Sequence, residues 1–271
     1  MPTYDVRDAI CEIGRRVWQR GYVAANDGNF SYRLDEDTVL ATPTRVSKGF
    51  LEPADLVLLD LDGNHKGGLR RGTSEIRVHL NAYRQRPDIR SVVHVHPTHA
   101  TAFAVAGRAL PKGVLEETDI YLGEVPLIPY ETTGTWEFAR SLDPWIETHD
   151  AFLLSNHGAL TFGADPFDAY YRMEVLDHSC KILLHALQLG GWRHLEPAHI
   201  EKLAAAKERH GFADPREGLP FDRWTEDVVL PRRAASKPAH FDAPPFDGRY
   251  PLVSDEPKPP TTPRPAPTKE A

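Results

Sequence analysis

Residues Ser91-Val92-Val93-His94-Val95-His96-Pro97 set the tightest constraint on what this chain folds into. Four of the first five are small or β-branched, the composition of a short buried strand. Side chains alternate along a strand, so His94 and His96 share a face about 7 Å apart. Pro97 cannot donate to a ladder and ends the strand. Two imidazoles side by side at a strand end have the geometry of two metal ligands, with a third required from elsewhere. The competing reading is chance, since 13 histidines in 271 residues produce such a pair without function.

Composition removes several function classes. Acidic residues outnumber basic ones, 39 to 32, and the net charge of −7 comes with no basic run, which argues against nucleic acid as a partner. Cys11 and Cys180 are the two cysteines, too few for a disulfide framework or a four-cysteine zinc site, so a reducing cytoplasm is the expectation. The opening Met1-Pro2-Thr3-Tyr4-Asp5 carries no apolar signal stretch, and no apolar run approaches the ~18 residues of a membrane span. A soluble cytoplasmic protein without a membrane partner is expected.

Along the chain, Val6, Ile10, Ile13 and Val17 recur at helical spacing up to about Gly21. The turn-rich segment Asn26 to Gly28 leads into a strand, followed by strands at Val39–Thr42 and Leu56–Leu61 and a turn at Asp62-Gly63-Asn64. Short strands at this spacing predict an antiparallel region. A helix is expected from Thr73-Ser74-Glu75 to about Arg86, capped by Thr73 or Ser74 with Glu75 in its first turn. Glu75 is then either a helix-start residue or, leading into the His94 strand, a carboxylate facing the metal site. His79, one turn on, reads as a packing or supporting residue. Further on come a helix over 98–107, an edge strand over 125–130 with its two prolines, and a helix over 136–146 interrupted at Pro144. The apolar strand Ala151–Ser155 delivers Asn156-His157-Gly158 at its carboxyl end, which makes His157 the third ligand. Asp165-Pro166 starts a long helix ending at Gly190-Gly191, with His178 and His185 as ordinary surface or interface residues, and a last helix runs over 197–210. Residues 231–271 hold eleven of the 24 prolines and predict an extended or disordered tail beyond a domain spanning 1–230.

Three histidines and a carboxylate describe a zinc-type catalytic site, although neutral imidazole also suits iron, cobalt or manganese. Gly28-Asn29-Phe30-Ser31, Thr42-Pro43-Thr44, Thr73-Ser74-Glu75, His94-Val95-His96-Pro97 and Asn156-His157-Gly158 together resemble the class II aldolase/adducin family over about residues 5–212. The resemblance implies an α/β, three-layer fold with a central, mainly antiparallel sheet flanked by helices, and a homotetramer with sites at subunit interfaces. It implies that His94, His96 and His157 hold Zn2+ or another divalent metal. Asn29, Thr44, Thr73 and Ser74, with the Gly28 backbone, would line a phosphate pocket, and Glu75 would be the acid/base. The implied activity is that of a lyase of carbohydrate metabolism, a zinc-dependent aldolase cleaving a fuculose- or rhamnulose-type 1-phosphate to dihydroxyacetone phosphate and an aldehyde through an enediolate. Glu75 favours an aldolase, since the family's epimerases resemble one another in having Asp there.

Three departures qualify the match. Arg45 stands where the sugar-phosphate aldolases have Gly, and suits a phosphate or the carboxylate of a decarboxylase substrate. Asp119 falls where the epimerases carry a catalytic Asp, and His210 stands near the place of a tyrosine supplied by a neighbouring subunit. A metal-dependent epimerase or decarboxylase is therefore the alternative within enzymes. An adducin-like, non-catalytic scaffold is the alternative of another class, and its sign would be absence of bound metal. The tail is either a plain extension or a segment, at its end or over 241–253, that docks a partner such as the shell of a protein microcompartment.

Overall fold

The computed structural model describes residues 5–209, so the tail 231–271, the boundary expected at 230 and His210 lie outside the described residues. Helix α1 (Val6–Gln19) starts from Asp5, whose carboxylate accepts the Arg7 N–H at 2.7 Å, and buries Ile10, Ile13 and Val17 as their spacing predicts. Eight strands follow: β1 (Asn29–Arg33), β2 (Val39–Ala41), β3 (Val57–Leu59), β4 (His65–Gly67), β5 (Ser91–Val95), β6 (Leu127–Ile128), β7 (Ala151–Leu154) and β8 (Gly158–Gly163). They form one sheet in the order β4-β3-β2-β1-β5-β8-β7-β6, antiparallel throughout except for the β6–β7 pair. The two-residue strand between Pro126 and Pro129 thus sits at the sheet edge, where a missing N–H costs least. The remaining helices are α2 (Ile76–Gln85), α3 (Thr98–Val105), α4 (Glu116–Tyr121), α5 (Trp136–Arg140), α6 (Asp143–Ile146), α7 (Pro166–Gln188) and α8 (Pro197–Arg209).

The strands' period of two separates two cores. Val93, Val95, Ala151, Leu153 and Ala159 join one cluster with residues of α1, α3 and α7, including Ile13, Phe103 and Met173. Val92, Phe152, Leu154, Leu160 and Phe162 join another with residues of α2, α5 and α6, including Tyr83, Phe138 and Ile146. This is the expected three-layer arrangement. His94 lies on the α2 face of β5, two residues beyond Val92.

Local structure departs from expectation at several places. Helix α2 begins at Ile76 with Glu75 itself at the cap position, one to two residues later than the caps predicted at Thr73 or Ser74. The reason is that Thr73 donates its N–H to the Thr42 carbonyl at 3.1 Å, next to the Pro43–Gly72 bridge, so the segment stays strand-like up to Thr73. Strand β8, whose glycine-bounded run follows His157 directly, closes a hairpin on β7 that the sequence reading lacked, and α4 and β4 are further additions. The interruption expected in the 136–146 helix is present but falls at 141–142, between α5 and α6, and Pro144 lies in the first turn of α6, where it loses no hydrogen bond.

Candidate metal centre

Strand β5 carries His94 into the interior, and its Nδ1–H donates to the Ala159 carbonyl of β8 at 2.8 Å. A carbonyl only accepts, so the neutral ring leaves Nε2 bare. His96 follows the strand end, its N–H held by the Tyr22 carbonyl at 2.9 Å and its Nδ1 3.5 Å from Asp27. His157 occupies the three-residue loop of the β7–β8 hairpin, after Asn156 at φ 56°, a left-handed conformation that Asn tolerates. The Nε2 atom of His94 lies 3.2 Å from Nε2 of His157 and 3.3 Å from Nε2 of His96, and one nitrogen from each ring lies within 4.8 Å of the others. Two nitrogens bound tetrahedrally at about 2.0–2.1 Å are about 3.3 Å apart, so both pairs made by His94 have the spacing of ligands on a zinc-type ion. Burial pushes all three imidazoles down, His157 to about 4 and His94 well below its ordinary value, which keeps them in the neutral, metal-binding form.

Two glycines make the approach possible. A Cβ on Gly158 would lie 2.5 Å from His96 Cδ2 and 2.7 Å from the Val95 carbonyl oxygen. Gly28, at φ 74°, passes so close to β5 that a Cβ would lie 2.9 Å from the His94 carbonyl oxygen.

Glu75 faces the same point. Its Oε2 is 3.2 Å from His94 Nε2 and accepts from Asn29 Nδ2 at 3.3 Å, while Oε1 is 3.8 Å from His157 Nε2. Burial raises its carboxyl above the usual carboxylate range, opposed by the Asn29 hydrogen bond. Although Glu75 stands at the cap position of α2, its side chain caps no helix N–H and turns into the cleft. That cleft is lined by Gly28, Asn29, Thr44, Arg45, Thr73, Ser74, Glu75 and His96, together with Asn26, Asp27, Pro43 and Lys48. Arg45 is exposed at its rim with φ 60°, a conformation that costs a non-glycine residue about 1–2 kcal/mol.

The residues singled out from sequence therefore converge, with one set apart. Asp119 is buried on α4 and is not among the residues that line this cleft. His178 and His185 are exposed on α7. His79 is fully buried and bonded to Ser31 and Asn29, a supporting place rather than a ligand's. Lys48 was missed. It is 1% exposed, donates to the carbonyls of Asn26 at 3.0 Å and Val46 at 2.7 Å, and ties the two loops that form the cleft wall. Burial pushes its amine down to about 8. No local signal separates such a lysine from a surface one.

The family model for the class II aldolase and adducin N-terminal domain matches residues 8–184. The chain is 34% identical over 201 residues to a 3-oxo-tetronate 4-phosphate decarboxylase of Haemophilus influenzae, covering 73% of this chain and 95% of that one. It is 35% identical over 171 residues to an L-fuculose phosphate aldolase of Methanococcus maripaludis, covering 63% and 92%. Among solved structures, an L-fuculose 1-phosphate aldolase superposes with a TM-score of 0.69 at 27% identity, over 78% of this chain and 99% of its own.

Proposed function

We propose that this chain, which belongs to the class II aldolase and adducin family, is a metal-dependent aldolase that cleaves a deoxyketose 1-phosphate of the fuculose or rhamnulose type. The observation that carries the reading is Glu75, a half-buried carboxylate 3.2 Å from His94 Nε2 at the edge of three converging imidazoles. His94, His96 and His157 would hold a divalent metal, zinc by choice of ligands, and when bound it supplies Lewis-acid polarisation of a substrate carbonyl. Glu75 moves the proton at the carbon beside that carbonyl. Its carboxylate removes the proton in the condensation direction, and its acid form returns it once the carbon–carbon bond has broken.

Asn29, Thr44, Thr73 and Ser74, with the Gly28 backbone, offer hydroxyl, amide and N–H groups suited to a phosphate, and Arg45 adds a guanidinium at the rim. Arg45 also favours a second reading, a decarboxylase of a phosphorylated oxo acid, because a planar guanidinium pairs with a carboxylate. Asp119 takes no step in either reading within one chain. The same proposal takes the enzyme as a cytoplasmic homotetramer, with the Pro-rich 231–271 either a plain extension with no role in the chemistry or a segment that docks a partner or a microcompartment shell. Among the described residues no helix is long and apolar enough to cross a membrane.

The test offers metal-analysed protein L-fuculose 1-phosphate, rhamnulose 1-phosphate, ribulose 1-phosphate and 3-oxo-tetronate 4-phosphate. Glu75→Gln is the control and is expected to lower kcat by about 10²–10⁴ with metal retained. Dihydroxyacetone phosphate released with an aldehyde supports the aldolase. Carbon dioxide release moves the assignment to the decarboxylase, and interconversion of isomers without cleavage moves it to an epimerase. Protein that binds no metal leaves the scaffold reading.

A further inference from the structure

Glu75 is the last member of a hydrogen-bonded chain that begins deep between α2 and β1. Glu75, His79 and Tyr83 recur every four residues and so fall on one side of α2, while Asn29 and Ser31 alternate onto one face of β1. The two rows interlock. The Tyr83 hydroxyl is 2.7 Å from Ser31 Oγ, and Ser31 Oγ is 2.7 Å from His79 Nδ1. His79 Nε2 is 2.6 Å from Asn29 Oδ1, and Asn29 Nδ2 is 3.3 Å from Glu75 Oε2.

Donor and acceptor counting gives this chain a direction. The amide oxygen of Asn29 only accepts, so His79 must carry its proton on Nε2. A neutral ring has one N–H, which leaves Nδ1 to accept from the Ser31 hydroxyl, and the Ser31 oxygen then accepts from Tyr83. Full burial pushes His79 down to about 3, so the ring stays neutral. With its oxygen engaged by His79, Asn29 turns its nitrogen toward Glu75. The flipped amide would set an oxygen lone pair against a carboxylate oxygen, so the shorter His79 contact at 2.6 Å and the Glu75 contact at 3.3 Å select the same orientation.

We infer that His79 is a positioning residue: its Nε2–H tautomer fixes the Asn29 amide with nitrogen toward Glu75, and so aims the Glu75 carboxylate at the three-histidine centre. The inference rests on the acid/base role proposed for Glu75. His79 touches neither substrate nor ligand set and acts through Asn29.

Long-range nitrogen–proton NMR on 15N-histidine-labelled protein tests the first half without any assay of activity. The expected result is His79 protonated on Nε2 and bare on Nδ1 near neutral pH, and a proton on Nδ1 overturns the inference. The second half compares His79→Gln with His79→Leu, because a glutamine amide nitrogen reaches the place of imidazole Nε2 and leucine has no donor. In His79→Leu, kcat is expected to fall by about tenfold or more while metal content changes little. His79→Gln should keep a kcat several-fold higher than His79→Leu at a similar loss of Tm. Equal losses of kcat in the two variants, or losses that follow Tm, overturn the inference. Wild-type protein that cleaves none of the substrates sinks the lyase reading, and the NMR result then decides this one alone.

Discussion

Replacing Gly158 with alanine places one methyl group inside the metal centre. On the observed backbone that carbon lies 2.5 Å from His96 Cδ2, 2.7 Å from the Val95 carbonyl oxygen and 3.4 Å from His94 Cε1. Ordinary carbon–carbon contact is about 3.5–4.0 Å, so the His96 ring has to retreat by about 1 Å. The Val95 oxygen has little room to yield, because Val95 is paired with Ala159 in the β5–β8 ladder. Metal–nitrogen distances tolerate about 0.2 Å, so a shift of that size takes His96 out of the ligand set. The expected outcome for Gly158→Ala is a metal affinity lower by about 100-fold or more, since displacing a ligand costs at least what disturbing its support does. Overpacking should also cost about 1–3 kcal/mol of metal-free stability. Chelator competition with zinc measures the first and urea unfolding of the metal-free protein the second. Gly67→Ala serves as control, because a Cβ there meets only Leu58 side-chain atoms at 3.4–4.0 Å. A Gly158→Ala protein with wild-type affinity and stability would refute the reasoning.

Arg45→Gly removes a left-handed residue that glycine adopts freely, so stability in urea should rise by up to about 1 kcal/mol while turnover of any carboxylate-bearing substrate falls. Lys48 releases its proton near pH 8 when folded, against 10.5 in an unperturbed lysine. The unfolded chain therefore binds more protons between about pH 8 and 10.5, and this group's contribution to stability rises with pH across that window by up to about 3 kcal/mol. Lys48→Met should flatten the slope, as read from unfolding midpoints over the same range. Cys11 and Cys180 are both buried, and burial pushes both thiols up, Cys11 to about 11, so neither should react with a thiol reagent until the protein unfolds.

How much of this was legible beforehand differs element by element. β5 announced itself because β-branched residues alternate with the two histidines and Pro97 closes the run. His157 followed from a second apolar strand ending in Asn-His-Gly. β8 did not, because it is buried on both faces and so shows no alternation, and its two end glycines look like turn residues. Gly158 is small for the sake of the imidazoles rather than for a turn. Capping logic misplaced the start of α2 because it counts only local partners, while Thr73 is bonded to Thr42, far away in sequence. The same blindness hid Lys48, whose acceptors are loop carbonyls, and the chain from Tyr83 to Glu75, whose helix and strand members lie about 50 residues apart. Short-range patterns report elements and strand ends. Buried polar bonding between distant segments is a property of the assembled fold.

The origin of the ligands on separate strands has a consequence for the order of events as the chain is made. His94 and His96 leave the ribosome together, but His157 and the Ala159 carbonyl that sets the His94 tautomer come about 60 residues later, and they reach position only when β8 pairs with β5. An incomplete chain offers a two-histidine site of low affinity. A metal held by the three histidines would thus be captured late, sealing the sheet rather than seeding it, and its binding free energy would favour the native state.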